Sequence, residues 1–284
     1  MVGMKTKEED FVEDILVTNT HDSLLCFTTK GKVYSMMGYE IPEASKQAKG
    51  REMVNILQLD DGEKVNAIIP VTENETGFML MATKNGLIKK TNLSEFENIR
   101  KTGKIAIKLL DDDQLISVQF TNGQDEVVVA THNGKCIRFS VNDVRPMGRT
   151  ASGVRGMNID GGTAVGMVTS LEGEYILAIT DRGYGKMTHY TDYRMTSRGT
   201  KGVITIHATE KVGNLVTIRA VYGNEDLMVI TQAGVIIRIP LEQVKIAGRN
   251  TQGVKIIRLD DDQRVSSVAV VEHQEQEEIV EEEK

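Results

Sequence analysis

The sequence predicts an all-β fold, a β-pinwheel or propeller-like disc of four-stranded blades, with five complete repeats and a partial sixth. Two spacings and one hydrophobic pattern carry this. Five threonines that close short apolar runs are each followed three residues later by glycine, at Thr28/Gly31, Thr83/Gly86, Thr131/Gly134, Thr180/Gly183 and Thr231/Gly234, and these glycines lie 55, 48, 49 and 51 residues apart. A second glycine, at Gly50, Gly103, Gly153, Gly202 and Gly253, follows after 19, 17, 19, 19 and 19 residues, each time within a basic stretch. Self-similarity at about fifty residues marks arrays in which each unit leans on its neighbours. The pattern between the glycines is that of strands, and four short strands per unit suit a propeller better than a sandwich.

Within a repeat the elements follow in a fixed order. The runs Leu24 to Phe27, Phe78 to Ala82, Val127 to Ala130, Tyr175 to Ile179 and Leu227 to Ile230 are continuously apolar, as in strands buried on both faces. The Thr-x-x-Gly turn follows, with Asn85-Gly86 and Asn133-Gly134 suited to a tight hairpin. The next strand alternates, clearest in Lys135 to Phe139 and Val235 to Ile239, so that one face is apolar and the other displays Arg138 or Arg238. A connector such as Leu93 to Ile99 or Leu241 to Val244 allows a helical turn at most. The basic loop leads into a third strand, such as Ile204 to Ala208 or Val254 to Leu259. An acidic turn, as at Asp60-Asp61-Gly62, Asp111 to Asp113 or Asp260 to Asp262, hands over to a fourth, such as Val65 to Val71 or Leu115 to Phe120. Residues 1–22 fit only the second half of this template, with Val2-Gly3-Met4 as its third strand and Phe11 to Thr18 as its fourth. The repeats fall near 23–73, 74–122, 123–171, 172–222 and 223–271, and together 1–271 form the β-pinwheel domain. Residues 272–284 read as an acidic disordered tail.

Charge is segregated along the chain. The stretches 46–51, 100–104, 145–155, 194–201 and 245–255 hold fifteen of the 34 Lys and Arg and none of the 41 Asp and Glu. The net charge of −7 is misleading as a guide to partners, because 272–284 alone carries −6 and leaves 1–271 near neutral. Solvated turns would mix both signs; cations alone, in phase with the blades, point to a polyanion track. Lys46, Lys49, Arg51, Arg100, Lys101, Lys104, Arg145, Arg149, Arg155, Arg194, Arg198, Lys201, Lys245, Arg249 and Lys255 are the loop candidates, with Arg138 and Arg238 beside them on the strands. Glycine in such loops lets backbone N–H groups approach phosphate oxygens. The loops carry no recognition helix and no aromatic for stacking on bases, so duplex backbone fits better than single strands or a sequence code.

Other chemistry finds no support. Cys26 and Cys136 stand singly in apolar runs, without metal-ligand spacing, and read as reduced core residues. The acidic turns are explained by turn propensity rather than by a metal. The five histidines have no Ser or Cys partner at a known spacing, and no phosphate-binding glycine motif follows a strand, so no catalytic and no metal residue is assigned. The N-terminus lacks an apolar signal region and no run approaches a membrane span, which places the chain, as an expectation, in the cytoplasm.

Glu9 to Glu13, Thr29 to Tyr34, Gly38 to Pro42, Met147 to Gly156 and Gly248 to Lys255 together resemble the C-terminal domain of the DNA gyrase A protein, over nearly the whole chain and most of all in its Firmicutes form. The resemblance implies a β-pinwheel that exchanges strands between blades and wraps duplex DNA on a basic rim, which lets gyrase introduce negative supercoils. It implies the remainder of the gyrase A protein and the gyrase B protein as partners, with ATP and Mg²⁺ used elsewhere in the enzyme and no cofactor in this chain. The catalytic tyrosine would likewise lie elsewhere. The family's signature box, Gln-basic-basic-Gly-Gly-basic-Gly, does not occur in these residues; its nearest relative is Ser197-Arg198-Gly199-Thr200-Lys201-Gly202, with Thr200 at the second glycine. That departure keeps the corresponding protein of topoisomerase IV, which has a similar domain, as an alternative. A protein-interaction propeller is the alternative of another class, although a chain without Trp fits neither kelch nor WD40 repeats.

Overall fold

The computed structural model describes residues 16, 18–44, 51–99, 101–260 and 263–273. They form five antiparallel blades; no α-helix occurs among them, and the connectors hold only short 3-10 turns such as Val141–Asp143 and Leu241–Gln243. Each blade is built on one hairpin: Ser23–Thr28 with Lys32–Met37, Phe78–Thr83 with Leu87–Asn92, Glu126–Thr131 with Lys135–Ser140, Tyr175–Thr180 with Tyr184–His189, and Asp226–Thr231 with Ile236–Pro240. The Thr-x-x-Gly spacing closes these hairpins directly. In the third blade the Gly134 N–H donates to the Thr131 carbonyl at 2.9 Å and Gly134 sits at φ +77°, where a side chain is strained. In four of the blades the threonine hydroxyl also accepts the N–H of the residue four places on, for example Tyr184 N to Thr180 Oγ1 at 3.2 Å.

A third strand lines the inside of each blade: Val65–Val71, Leu115–Thr121, Ala164–Thr169, Leu215–Val221 and Val265–Val271. All five contribute to the wall of one central cavity of about 320 Å³, so the blades stand around a common axis. Each inner strand steps out of register at the threonine of its hairpin, as between Phe27 and Thr28. Such a bulge adds twist and turns the strand toward the next blade.

The outermost strand of a blade is supplied by the next repeat. Lys104–Ile105 pairs with Lys32–Val33, Val154–Arg155 with Leu87–Ile88, Val203–Ile204 with Lys135–Cys136, and Val254–Lys255 with Tyr184–Gly185. The sequence expectation placed a longer third strand within its own repeat. It is instead two residues long and crosses to the neighbour, because the chain then drops into the neighbour's turn: Thr205 and Ile206 N–H both donate to the Gly134 carbonyl, at 2.9 and 3.2 Å. A Cβ on Gly134 would stand 2.2 Å from the Ile206 carbonyl oxygen, so this glycine is a socket as well as a turn. The fifth blade has three strands among the described residues. The half-repeat expected over 1–22, and the tail beyond residue 273, fall almost wholly outside the described residues.

The core is shared between blades rather than contained in them. Val127 and Val129 pack with Leu80, Ile88 and Met157 of the second blade and its exchanged segment, whereas Val128 and Ala130 pack with Ile176, Ala178 and Ile218 of the fourth. Alternate residues of one strand thus serve two clusters, which explains the unbroken apolar runs. Burying each such side chain is worth about 1.5–3 kcal/mol, so neighbouring blades hold each other in place. Cys26 and Cys136 are free and buried in this core, and burial pushes both thiols up to about 12.

Candidate nucleic-acid interface

Strand exchange lays the described basic loops, 101–104, 145–155, 194–202 and 245–255, along the outer edge of the blade before them. The loop enters beside the second hairpin strand in short parallel bridges, Lys90 to Pro146, Arg138 to Met195 and Met187 to Ile246. Backbone bonds fix the entry: Met147 N to Lys90 O at 2.8 Å, Thr196 N to Arg138 O at 2.9 Å and Ala247 N to Met187 O at 2.9 Å. The loop leaves at its second glycine into the exchanged strand. A Cβ on Gly202 would lie 2.0 Å from the Cys136 carbonyl oxygen, and those on Gly153 and Gly253 would meet the edge of the blade they each cross to. Gly153, Gly202 and Gly253 serve the close approach of one blade to the next, and among the described glycines of these loops only Gly148 and Gly248 face open space.

Successive loops are tied to one another. Arg149 donates to the Ile105 carbonyl at 3.2 Å, Arg198 to the Arg155 carbonyl at 3.0 Å and Arg249 to the Ile204 carbonyl at 3.3 Å, each reaching the exchanged strand of the repeat before. Lys108 N to Ala151 O, Asn158 N to Thr200 O and His207 N to Thr251 O repeat the link in the backbone. The stretches 101–108, 145–155, 194–202 and 245–255 therefore form one continuous, cross-braced edge.

The side chains on that edge divide by what holds them. Arg145, Arg155, Arg194, Lys245 and Lys255 are exposed and have no ion-pair partner among the described residues; Arg51, outside these four stretches, is likewise exposed. Lys101 is 83% exposed with Glu40 at 3.6 Å, and Lys104 reaches the Glu97 carbonyl at 3.4 Å. Lys201 pairs with Asp160 at 2.8 Å; with Lys135 on its other side, this carboxyl is held below the usual range, chiefly by its hydrogen bond from Lys201. Arg149, Arg198 and Arg249 are half-buried by the bracing bonds, and Glu95 lies 3.8 Å from Arg149. Lys46, Lys49 and Arg100 lie outside the described residues.

Arg138 is not displayed on an open face as the alternation suggested, whereas Arg238 is exposed as expected. Arg138 is 13% exposed, forms an ion pair with Glu126, donates to the Tyr190 and Tyr193 carbonyls at 3.0 and 2.7 Å, and lies 4.8 Å from the Tyr190 ring centre. Arg238 repeats the pairing with buried Asp226 at 2.5 Å. In the third blade the face opposite the apolar one is covered by the connector of the next repeat, which no strand-period argument anticipates. Lys89 and Lys186 escaped the sequence reading altogether: both are wholly buried beneath loops. Their signal was a charge at the register where the third and fifth blades carry Ile137 and Ile237.

A strand-exchanged ring of β-blades with a braced basic edge is a β-pinwheel, a propeller-class fold whose surface chemistry suits a polyanion. The profile of the family described as "DNA gyrase C-terminal domain, beta-propeller" matches residues 22–72, 78–122, 125–170, 174–221 and 225–272, and the chain belongs to that family. It is 45% identical over 269 residues to the DNA gyrase A protein of Ureaplasma parvum serovar 3, covering 94% of this chain and 32% of the relative. To the same protein of Staphylococcus aureus strain NCTC 8325 it is 44% identical over 286 residues, covering 99% and 32%. The chain thus spans about a third of the length of these relatives. Among solved structures, a C-terminal domain of DNA topoisomerase IV superposes with a TM-score of 0.82 at 28% identity, covering 90% of this chain and 80% of that one. A DNA gyrase A C-terminal domain superposes at 0.76 over 95% and 92%, its 24% identity speaking for the fold alone. No helix among the described residues is long and apolar enough to cross a membrane.

Proposed function

We propose that the chain binds duplex DNA without sequence preference along its basic edge, bends it and wraps it, as the accessory domain through which gyrase introduces negative supercoils. The observation that carries this is the continuous bracing of four basic loops along one edge, with Arg145, Arg155, Arg194, Lys245 and Lys255 left exposed. Bending a short duplex by 40–90° takes on the order of 1–6 kcal/mol, and phosphate contacts spread along a rigid arc offset it. In this reading the rest of the gyrase A protein and the gyrase B protein are the partners, and ATP and Mg²⁺ act elsewhere in the enzyme. The chain contributes no catalytic residue. Topoisomerase IV is the second reading, favoured by the TM-score of 0.82; the 44–45% identity to gyrase A proteins favours the first.

Duplex binding as a function of salt tests the proposal. With Z of about 7 phosphates neutralised, log K falls against log salt with a slope near −6. A flat line, or a tenfold preference for one sequence, would refute it. A ligation assay on relaxed circles separates wrapping from simple binding, since only wrapping shifts the linking number.

A further inference from the structure

Two cations that contribute nothing to the surface lie under the basic edge. Lys89 Nζ donates to the Ala106 and Arg149 carbonyls at 2.7 and 2.5 Å. Lys186 Nζ donates to the Gly248 and Arg249 carbonyls at 2.7 and 2.6 Å and to Thr251 Oγ1 at 3.0 Å. Neither side chain has a carboxylate partner among the described residues, and both are fully buried. Such burial is costly for an ammonium group and is seldom met without a paired anion. Packing does not demand it, because Ile137 fills the same register in the third blade. The two lysines recur under the two loops with matching sequence, Gly148-Arg149-Thr150-Ala151-Ser152-Gly153 and Gly248-Arg249-Asn250-Thr251-Gln252-Gly253. The loop over Ile137 differs and carries Lys201 in line where the others have Ser152 and Gln252.

We propose that Lys89 and Lys186 are positioning residues for duplex binding: Lys89 draws the Arg149 carbonyl oxygen, and Lys186 the Gly248 and Arg249 carbonyl oxygens, of the basic loop above it into the blade, so that these acceptors are turned away from the phosphates, and each adds an unscreened positive charge beneath the loop's crest. The inference rests on the reading of the basic edge as a DNA surface. A carbonyl oxygen turned outward would repel a phosphate. In the loop 245–255 the Gly248, Arg249 and Thr251 carbonyls all accept bonds from within the fold, while Asn250 stays exposed. The charge beneath is shielded from salt by the protein around it, unlike the cations on the rim.

The same burial makes the effect titratable. It lowers Lys89 to about 8, helped by the Arg149 charge and opposed by Glu95. It lowers Lys186 to about 8 as well; Cys136 and Asp192 act against the shift and Arg249 with it. Lys89 and Lys186 thus lose their charge as pH rises from 7 to 9. DNA affinity is therefore expected to fall roughly tenfold over that interval, from a loss of about threefold at each loop. Stability moves the other way: the folded-state pKa lies below the ordinary 10.5, so the unfolded chain holds more protons between about 8 and 10.5 and the fold gains stability as pH rises through that window. A lysine that merely supported the fold would not separate the two curves.

The experiment measures duplex affinity and thermal stability of the unsubstituted chain at pH 7, 8 and 9, and repeats both on Lys89→Met with Lys186→Met. Loss of affinity with gain of stability in the parent, and a pH-independent, weaker affinity in the variant, is the expected result. A double-mutant cycle adds a spatial check: Lys186→Met couples to Arg249→Ala and is additive with Arg198→Ala, whose loop rests on Ile137. Affinity that holds level from pH 7 to 9, or equal coupling to both arginines, overturns the inference and leaves the proposed function intact. Absence of salt-dependent duplex binding at pH 7 overturns the function itself.

Discussion

The third and fifth blades share a local design and differ in what the next repeat brings to them. Both have a Thr-x-x-Gly hairpin and both pair an arginine with an acid across it, Arg138 with Glu126 and Arg238 with Asp226. In the third blade Val203–Ile204 closes the outer edge, and Cys136 and Ile137 are almost wholly buried. In the fifth no outer strand is present among the described residues; Ile236 and Ile237 are half-buried and Val235 is 48% exposed. The hairpin alone is thus not what buries the outer half of a blade. The neighbour's two-residue strand, its loop glycine and its connector do so together.

The largest expected effect comes from blocking the exchange. Gly202→Ala places a Cβ 2.0 Å from a backbone oxygen at φ +71° and is expected to cost about 3 kcal/mol or more in denaturant unfolding. Gly234→Ala, in a turn that receives no exchanged strand among the described residues, carries the positive-φ penalty of about 1–2 kcal/mol. Equal losses at the two positions would mean that the close approach of Gly202 to the Cys136 carbonyl contributes nothing.

A smaller contrast is expected between the two arginines. Arg138→Met strands Glu126 and two connector carbonyls, a loss of about 2–3 kcal/mol. Arg238→Met is milder because His273, 2.8 Å from Asp226, still faces the acid. The Asp226 hydrogen bond raises His273 above its ordinary 6.5, so its contribution is full below that value and is lost as pH rises through the folded-state pKa. Arg238→Met is therefore expected to be more destabilising at pH 8 than at pH 6, read from melting temperatures, whereas Arg138→Met, with no histidine in its pair, shows no such dependence. Arg138→Met is not expected to alter the salt slope of DNA binding, since its side chain is engaged within the fold.

The smallest effect concerns one ion pair on the edge. Asp160 holds Lys201 at 2.8 Å and Lys135 at 3.0 Å, in competition with any phosphate. Asp160→Asn is expected to tighten duplex binding about twofold at low salt and to leave it unchanged at high salt, where exposed pairs are screened. Weaker binding by this variant would show that Asp160 orders the 194–202 loop rather than restraining its lysine.

Period, strand content and turn chemistry were legible in the residues because they act between sequence neighbours. The Thr131 carbonyl meets the Gly134 N–H three residues on, and Val127 to Ala130 alternate between two cores whatever the partner. Segregation of cations into 145–155, 194–201 and 245–255 is likewise a property of residue order alone. Tertiary structure decided which blade each strand completes. It put Val203 beside Cys136, sealed Arg138 under Tyr190 and Tyr193, turned Gly202 toward the Cys136 backbone, and set Lys186 beneath Arg249. A strand of two residues has too little pattern to name its partner; the neighbouring blade's open edge and turn carbonyl choose it, and they exist only once that blade has folded.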